Sequence, residues 1–427
     1  MATALRIAAC AAAAGILVAA CGSAAPAPPP PGLTVSYGTA ARVPSVSAAP
    51  YAAADTAFGL DVLGAWCRQD SRANILLSPE SLASGLGLAY LGAGGATAAA
   101  MARVLHLPAA GPALEAGLHA RSAALRGLDG PGVTVSGSDR VWADPSLITR
   151  PGYLDRAATA YGAGLWRAPL LRDPAGSAAR IDAAIAAATR GRIPHLLSGG
   201  DLRNTGWVLT DALYLNAAWA SPFEASQTSP GSFTTAAGSR ASARFMHGAG
   251  FFAASDDGWT AVSLPYRGGK LAMTALLPPA GSGGCPALPV ATLHRLTAAL
   301  APFPPGHAEP GAARASASVA LPKVSLRTSA SMRPLLTRLG LGIAFGHSAD
   351  FTALSPEAAS LGVVIHAATL AVTEKGTVAS AATAVGIQPS ALPLPMRQVV
   401  FDRPYLMLVT GTATGEPLFL ARVADPG

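Results

Sequence analysis

Nothing in the 427 residues writes a local catalytic signature. A serine hydrolase presents its nucleophile on a tight Gly-x-Ser-x-Gly turn. Ser282, in the run Ala280 to Gly284, lacks the first glycine and any preceding strand-to-helix context. Gly92, Gly94 and Gly95 are followed by Ala96 and Thr97 with no lysine, so they make no phosphate loop. There is no His-Glu-x-x-His metal motif, and a triad assembled from distant residues is the one catalytic arrangement left open. The specific pattern lies elsewhere, between Thr373 and Ile387. Read with a period of two, Thr377, Ala379, Ala381, Thr383, Val385 and Ile387 share one face, and Val378, Ser380, Ala382, Ala384, Gly386 and Gln388 the other. The segment then breaks at Pro389, Pro393 and Pro395, which no sheet interior accepts. One stretch is thus written both as a surface loop and as a strand of unusually small side chains.

The elements around it read as helices first and strands later. Phe58, Val62, Leu63 and Trp66 recur at helical spacing. A second helix should begin at Pro79 with Ser78 as its cap, and an Ala-rich helix should cover Ser177 to Thr189 and stop at Gly191. Gly206 to Tyr214 reads as a buried strand. Strands are also expected over Ser242–Met246, Ala261–Leu264, Leu271–Leu277, Ala315–Leu321, Leu361–Thr373, Tyr405–Val409 and Pro417–Val423, with loops over Pro278–Pro289 and Pro302–Ala313. That order predicts an α+β architecture, and with no second linker between residues 52 and 426 it predicts one domain.

In this order the motifs resemble the serpin family over nearly all of residues 52 to 426. The resemblance is carried by Asn74 to Ser81, Leu91 to Thr97, Ile181 to Ile193, Thr210 to Trp219 and Phe223, Leu264 to Gly268, Leu321 to Lys323, Ala349 to Phe351, Val364 to Ala368, Phe401 to Tyr405, and Leu418 to Val423. It implies helices packed on a large mixed central sheet, two smaller sheets, and an exposed reactive loop over about 374–398. It also implies an activity: a metastable inhibitor whose loop is cut by a serine protease, which is trapped as an acyl-enzyme while the loop inserts as an extra strand. The alternative within the family is a non-inhibitory member, cut without trapping or acting as a binding protein; a lipoprotein hydrolase is the remote alternative.

The resemblance assigns roles by position. Glu374, Gly376, Thr377, Val378, Ala379, Ser380, Ala381, Ala382 and Thr383 correspond to the hinge, where small side chains must slip between packed strands because each overpacked site costs about 1 to 3 kcal/mol. The family usually carries Glu where Val378 stands, on the outward face. Counting fourteen residues from the hinge glycine puts the reactive bond at Ser390–Ala391, with Ala391–Leu392 as runner-up; Leu392–Pro393 is disfavoured by the proline. A small uncharged residue there suits elastase-like or subtilisin-like proteases. Ser78, Ser81, Asp211 and His366 correspond to the polar cluster where the strands part, with Asp211 in place of the usual Asn. Asp211 and His366 form either a charged pair that makes opening pH-sensitive or a satisfied buried hydrogen-bond group. Lys323 and Glu374 correspond to an ion pair holding the hinge closed, and Trp219 lies near the same opening.

The N-terminus supplies the compartment. Arg6, the apolar run Ile7 to Ala20 and Val18-Ala19-Ala20-Cys21 describe a signal peptide over 1–20 that ends in a lipobox, with Cys21 as the lipidated residue. The alternative is ordinary cleavage after Ala20 or Ala25. Residues 21–51 then read as a Pro/Ala-rich tether, stiffened by Pro28 to Pro31. The protein is expected outside the cell, on the outer face of a bacterial membrane or secreted. With Cys10 removed and Cys21 lipidated, Cys67 and Cys285 remain in an oxidising setting, where a disulfide between them is expected. Two thiols and eight scattered histidines give no zinc pattern, and no cofactor is expected. Net charge +7 comes without a basic block, which argues against nucleic-acid binding. The expected partner is a target serine protease, met by a monomer.

Overall fold

The computed structural model describes residues 29–301, 315–357, 360–377 and 396–427. Among these are eight α-helices: α1 (Ala49–Gln69), α2 (Pro79–Tyr90), α3 (Gly95–Val104), α4 (Gly111–Arg126), α5 (Pro151–Tyr161), α6 (Pro174–Ala188), α7 (Val290–Leu300) and α8 (Arg333–Leu336). The strands are β1 (Thr34–Ser36), β2 (Ile75–Leu77), β3 (Val133–Ala143), β4 (Leu165–Arg167), β5 (Trp207–Ala218), β6 (Ser229–Thr234), β7 (Arg240–Asp256) and β8 (Trp259–Pro265). They continue with β9 (Leu271–Leu277), β10 (Ala315–Pro322), β11 (Val324–Ser331), β12 (Val363–Thr373), β13 (Gly376–Thr377), β14 (Arg397–Val400), β15 (Tyr405–Gly411) and β16 (Pro417–Val423).

Seven strands form the main sheet in the order β1-β4-β3-β5-β13-β12-β11, a mixed sheet in which β5 runs parallel to β12 and β3 parallel to β4, while β3 is antiparallel to β5 and β11 to β12. Nine strands form a second path, β14-β10-β7-β8-β9-β15-β16-β2, with β6 paired to β7. The two expected smaller sheets run into one another here. The physical reason is the length of β7: its first residues pair with β6, its middle with β10, and Phe252 to Asp256 with β8.

Period-two alternation places the site. On β5, Leu209 faces the helical core around α2, and Leu213, Leu215 and Ala217 face the second sheet, whereas Val208 and Ala212 pack beneath α6. Asp211 therefore lies on the α2 side of the sheet, in line with Leu209 and Leu213. On β12 the phase is the opposite: Val364, Ala368 and Leu370 share His366's face, and Ile365 and Ala367 turn toward α6. α2 starts where expected, with Ser78 Oγ accepting from Ser81 N at 3.2 Å and Pro79 in the first turn.

Two expectations change. The Ala-rich helix begins earlier, capped by Asp173 accepting from Gly176 N, because Pro174 is already preset for a first turn. The stretch read as a tether also joins the body well before residue 52. Leu33 is buried in the α6 cluster, and β1 pairs antiparallel with β4. Beyond it, Thr39 N donates to Asp155 and Ala41 N to Thr159 of α5. A three-residue polar-flanked strand such as Thr34–Ser36 carries too little periodicity to announce itself.

Candidate functional site

The site is the seam between β5 and β12. Below its upper end the seam is closed, with Val363 to Thr369 paired in parallel to Val208 to Tyr214. At the upper end β13 sits between the two strands, Gly376 opposite Ala218 and Thr373, Thr377 opposite Ala217 and Val372. Thr377 is fully buried, and its hydroxyl meets that of Tyr266. A Cβ on Gly376 would lie 2.1 Å from the carbonyl oxygen of Ala217, and its φ of +149° lies outside the range side chains favour, so only glycine fits. The hinge positions Val378, Ala379, Ser380, Ala381, Ala382 and Thr383, and the bond positions Ser390, Ala391 and Leu392, lie outside the described residues, as does Cys21. At the far end of that stretch the expected loop boundary moves: Arg397 and Gln398 already belong to β14, paired parallel with β10.

Several groups hold the turn that feeds β13. The indole N–H of Trp219 donates to Thr373 O at 2.9 Å, its backbone N–H to Lys375 O, and its ring stacks on Tyr266 with centroids 4.4 Å apart. Lys323 Nζ lies 2.9 Å from Glu374, whose carboxylate also accepts from Thr228. Partial burial pushes the Glu374 pKa up, but Lys323, a backbone N–H and Thr228 outweigh it and hold the carboxyl below its ordinary range.

Across the middle of the sheet Asp139 of β3, Asp211 of β5 and His366 of β12 stand directly opposite one another in register. Ser78 N donates to His366 Nε2 at 3.1 Å, so that nitrogen presents its lone pair and the ring proton sits on Nδ1, which donates to Asp211 Oδ2 at 2.8 Å. Both ring nitrogens of His366 are thereby hydrogen-bonded inside the molecule. The bond to Asp211 crosses the seam.

Ser81 Oγ contacts a carboxylate oxygen of Asp139 at 2.6 Å and one of Asp211 more closely still. A hydroxyl has one proton, so it donates to one carboxylate while the other carboxyl must be protonated and donate to it. Burial, followed by the charges of Glu80 and Asp211, pushes Asp139 well above the usual carboxylate range and marks it as the protonated partner. The crowding continues beneath the sheet. Glu80 is buried and pushed up to about 7, mainly by burial, although Arg121 and Ser84 oppose the shift. Arg121 pairs with Asp55 at 2.5 Å and donates to Ser84, which in turn donates to Glu80. Glu416 is raised as well, by burial and then Asp55. Among these residues one buried arginine faces five carboxyl groups, and protonation settles the balance.

Asp139, Glu80 and Arg121 were not among the residues singled out from sequence. Asp139 had a signal, a charge in phase with Val133 and Val141 within a strand; Glu80, the residue after a helix-starting proline, reads as an ordinary first-turn acid. Cys67 and Cys285 are bonded, with Cα atoms 5.8 Å apart, and tie α1 to the loop before α7. No group of three metal-ligating side chains occurs among the described residues.

The site is thus a mixed sheet whose β5–β12 seam is closed along Val208 to Tyr214 and filled at its upper end by Gly376 and Thr377. Residues 53–426 match the family Serpin (serine protease inhibitor), and the chain belongs to it. It is 32% identical to Serpin-ZXA of Oryza sativa over 83% of this chain and 90% of that protein. It is 28% identical to the leukocyte elastase inhibitor of Bos taurus, over 88% and 99%. The fold is similar to the thermophilic serpin tengpin in its native state, with TM-score 0.78 at 21% identity over 91% of this chain and 97% of that one.

Proposed function

We propose that this chain inhibits serine proteases by letting them cut its loop and inserting the cut segment between β5 and β12. The observation that carries the reading is the seating of Gly376 and Thr377 in an otherwise closed seam, followed in sequence by residues small enough to continue. The protease serine Oγ attacks the carbonyl carbon of Ser390, or of Ala391 as runner-up. The peptide C–N bond breaks, the departing amine takes the proton, and an ester joins the two proteins. Extending the observed β13–β5 register puts residue 387 opposite Trp207, the far end of β5, so insertion would run the length of the sheet and carry the protease with it. Family membership and the bovine elastase inhibitor among the relatives support the reaction and an elastase-like or subtilisin-like target.

In this reading Glu374, Lys323 and Trp219 time the opening, and Ser78, Ser81, Asp211 and His366 form the cluster that must part. The protein is exported, and Cys21 is lipidated: its thiol takes a diacylglyceryl group from a phospholipid, forming a thioether and releasing the phosphorylated headgroup. Mixing the protein with subtilisin or pancreatic elastase and running a denaturing gel tests the function. A covalent band of summed mass is expected. Cleavage without it would make the protein a non-inhibitory serpin.

A further inference from the structure

A cavity of about 360 Å³ lies between α1, the loop before α7, the start of β15 and the end of β16. Its size falls within the roughly 300–1,000 Å³ of small-molecule pockets. The walls are mainly apolar, with Leu60 and Leu63 of α1, Leu288, Leu339 and Leu406 among the lining residues. One wall is fixed twice over. The Cys67–Cys285 disulfide, itself part of the lining, ties α1 to the loop, and Arg422 holds the same loop through the carbonyl of Gly284. Little ordering is left for a ligand to bring about.

Alternation along β16 turns one charge toward this space. Leu420 packs in the helical core with α1, whereas Phe419, Ala421 and Val423 pack in the core shared by the two sheets. Arg422, two residues beyond Leu420, shares its face, is 2% exposed and lines the cavity. Its guanidinium donates to the carbonyls of Ala73, Ser71 and Gly284 at 2.8, 2.8 and 2.5 Å. Five N–H bonds against these three acceptors leave two for a ligand, and no carboxylate among the described residues forms an ion pair with it. Burial lowers its pKa, with the charge of Asp70 opposing. A buried cation held only by neutral dipoles is where an incoming anion gains most. The acid in the lining, Asp61, is already turned to His106 at 2.8 Å. Arg68 adds a second cation beside Gly64, also in the lining, where a Cβ would lie 3.2 Å from the arginine's Nη1.

We propose that this cavity binds a medium-chain fatty acid, with its carboxylate against the guanidinium of Arg422 and its chain along the leucines. The site is separate from the β5–β12 seam, and the inference stands whether or not the loop traps a protease. Charge selects the head, because a carboxylate accepts charge-assisted hydrogen bonds from arginine that a cationic head cannot. Apolar burial selects the tail, each methylene taken out of water tightening binding about fourfold.

Isothermal titration of the oxidised full-length protein tests this, with decanoate below its micelle concentration as the probe. Decanoate should bind one to one, and octanoate and decyltrimethylammonium each about tenfold or more weakly. Gly64→Leu fills the cavity with a side chain whose Cβ meets only the flexible end of Arg68, and leucine favours helix over glycine. That protein should keep or raise its Tm and bind decanoate about tenfold or more weakly. Arg422→Gln should weaken decanoate by about tenfold or more and leave decanol binding unchanged, a split that a merely damaged fold would not produce. Should Arg422→Gln fail to fold, Gly64→Leu and the comparison of head groups decide alone. Absence of saturable decanoate binding, equal binding by the Gly64→Leu protein, or a cationic head held as tightly as the carboxylate would each overturn the proposal.

Discussion

Replacing Glu80 by Gln should make the protein more stable at alkaline pH and leave it almost unchanged in acid. Glu80 is buried against Ser84 and close to Arg121, Asp55 and Asp211, and its pKa is pushed from an ordinary 4.5 to about 7. The folded protein therefore keeps a proton that the unfolded chain releases. The associated stability is intact below pH 4.5 and is lost as the pH rises through about 7. At about 1.4 kcal/mol for each tenfold change in proton affinity, the loss is about 3 kcal/mol. Gln keeps the oxygen that accepts from Ser84 and never ionises. For a domain of this size, with an unfolding entropy of about 2 cal/mol/K per residue, about 3 kcal/mol corresponds to about 4 °C in Tm. Thermal unfolding at pH 5 and pH 8 reads it directly. Wild type should lose stability on going to pH 8, all the more because Asp139, Glu416 and Asp55 are raised in the same direction. Glu80→Gln should recover about 4 °C at pH 8 and little at pH 5. An equal effect at both pH values, or a loss at pH 8, would refute the proton count beneath the sheet.

Other substitutions probe the rest of the site. Thr377→Arg puts a long cation where the hinge is fully buried between β5 and β12, and should convert the protein from trap to substrate, seen on gels as cleavage without a covalent band. Asp211→Asn keeps an oxygen for His366 and offers Ser81 an N–H, relieving the Asp139–Asp211 opposition; about 1 kcal/mol of added stability at pH 8 is expected in denaturant unfolding. Breaking the disulfide with Cys67→Ser and Cys285→Ser releases a closure spanning 218 residues and should cost about 3 to 5 kcal/mol, read as a lower denaturant midpoint than the oxidised protein's.

β5, β12 and the glycine at 376 were legible in sequence because their constraints are local. Alternation and small side chains mark 377 to 387, and the Gly376 requirement follows from a close backbone approach that the structure places at Ala217. Ser78, Pro79, Asp211 and His366 were recoverable from ordered motifs. Asp139 and Arg121 were not, since their meaning depends on strand register and on a helix packed from far along the chain. The Ala-rich helix α3 was also missed: alanine fills buried and exposed faces alike and blurs the apolar stripe that marks a helix. The N-terminal strand escaped notice because pairing with β4, rather than composition, makes it one.

The most direct measurement is a crystal structure of the protein after subtilisin has cut its loop. Insertion predicts a new strand from Gly376 to about residue 387 between β5 and β12, with Ile387 opposite Trp207, Thr377 still against Tyr266, the 2.8 Å Asp211–His366 hydrogen bond broken, and the backbones of those two residues moved from one strand spacing to two, about 10 Å, apart. A cut molecule in which Val208 to Tyr214 remain paired with Val363 to Thr369 would contradict the account.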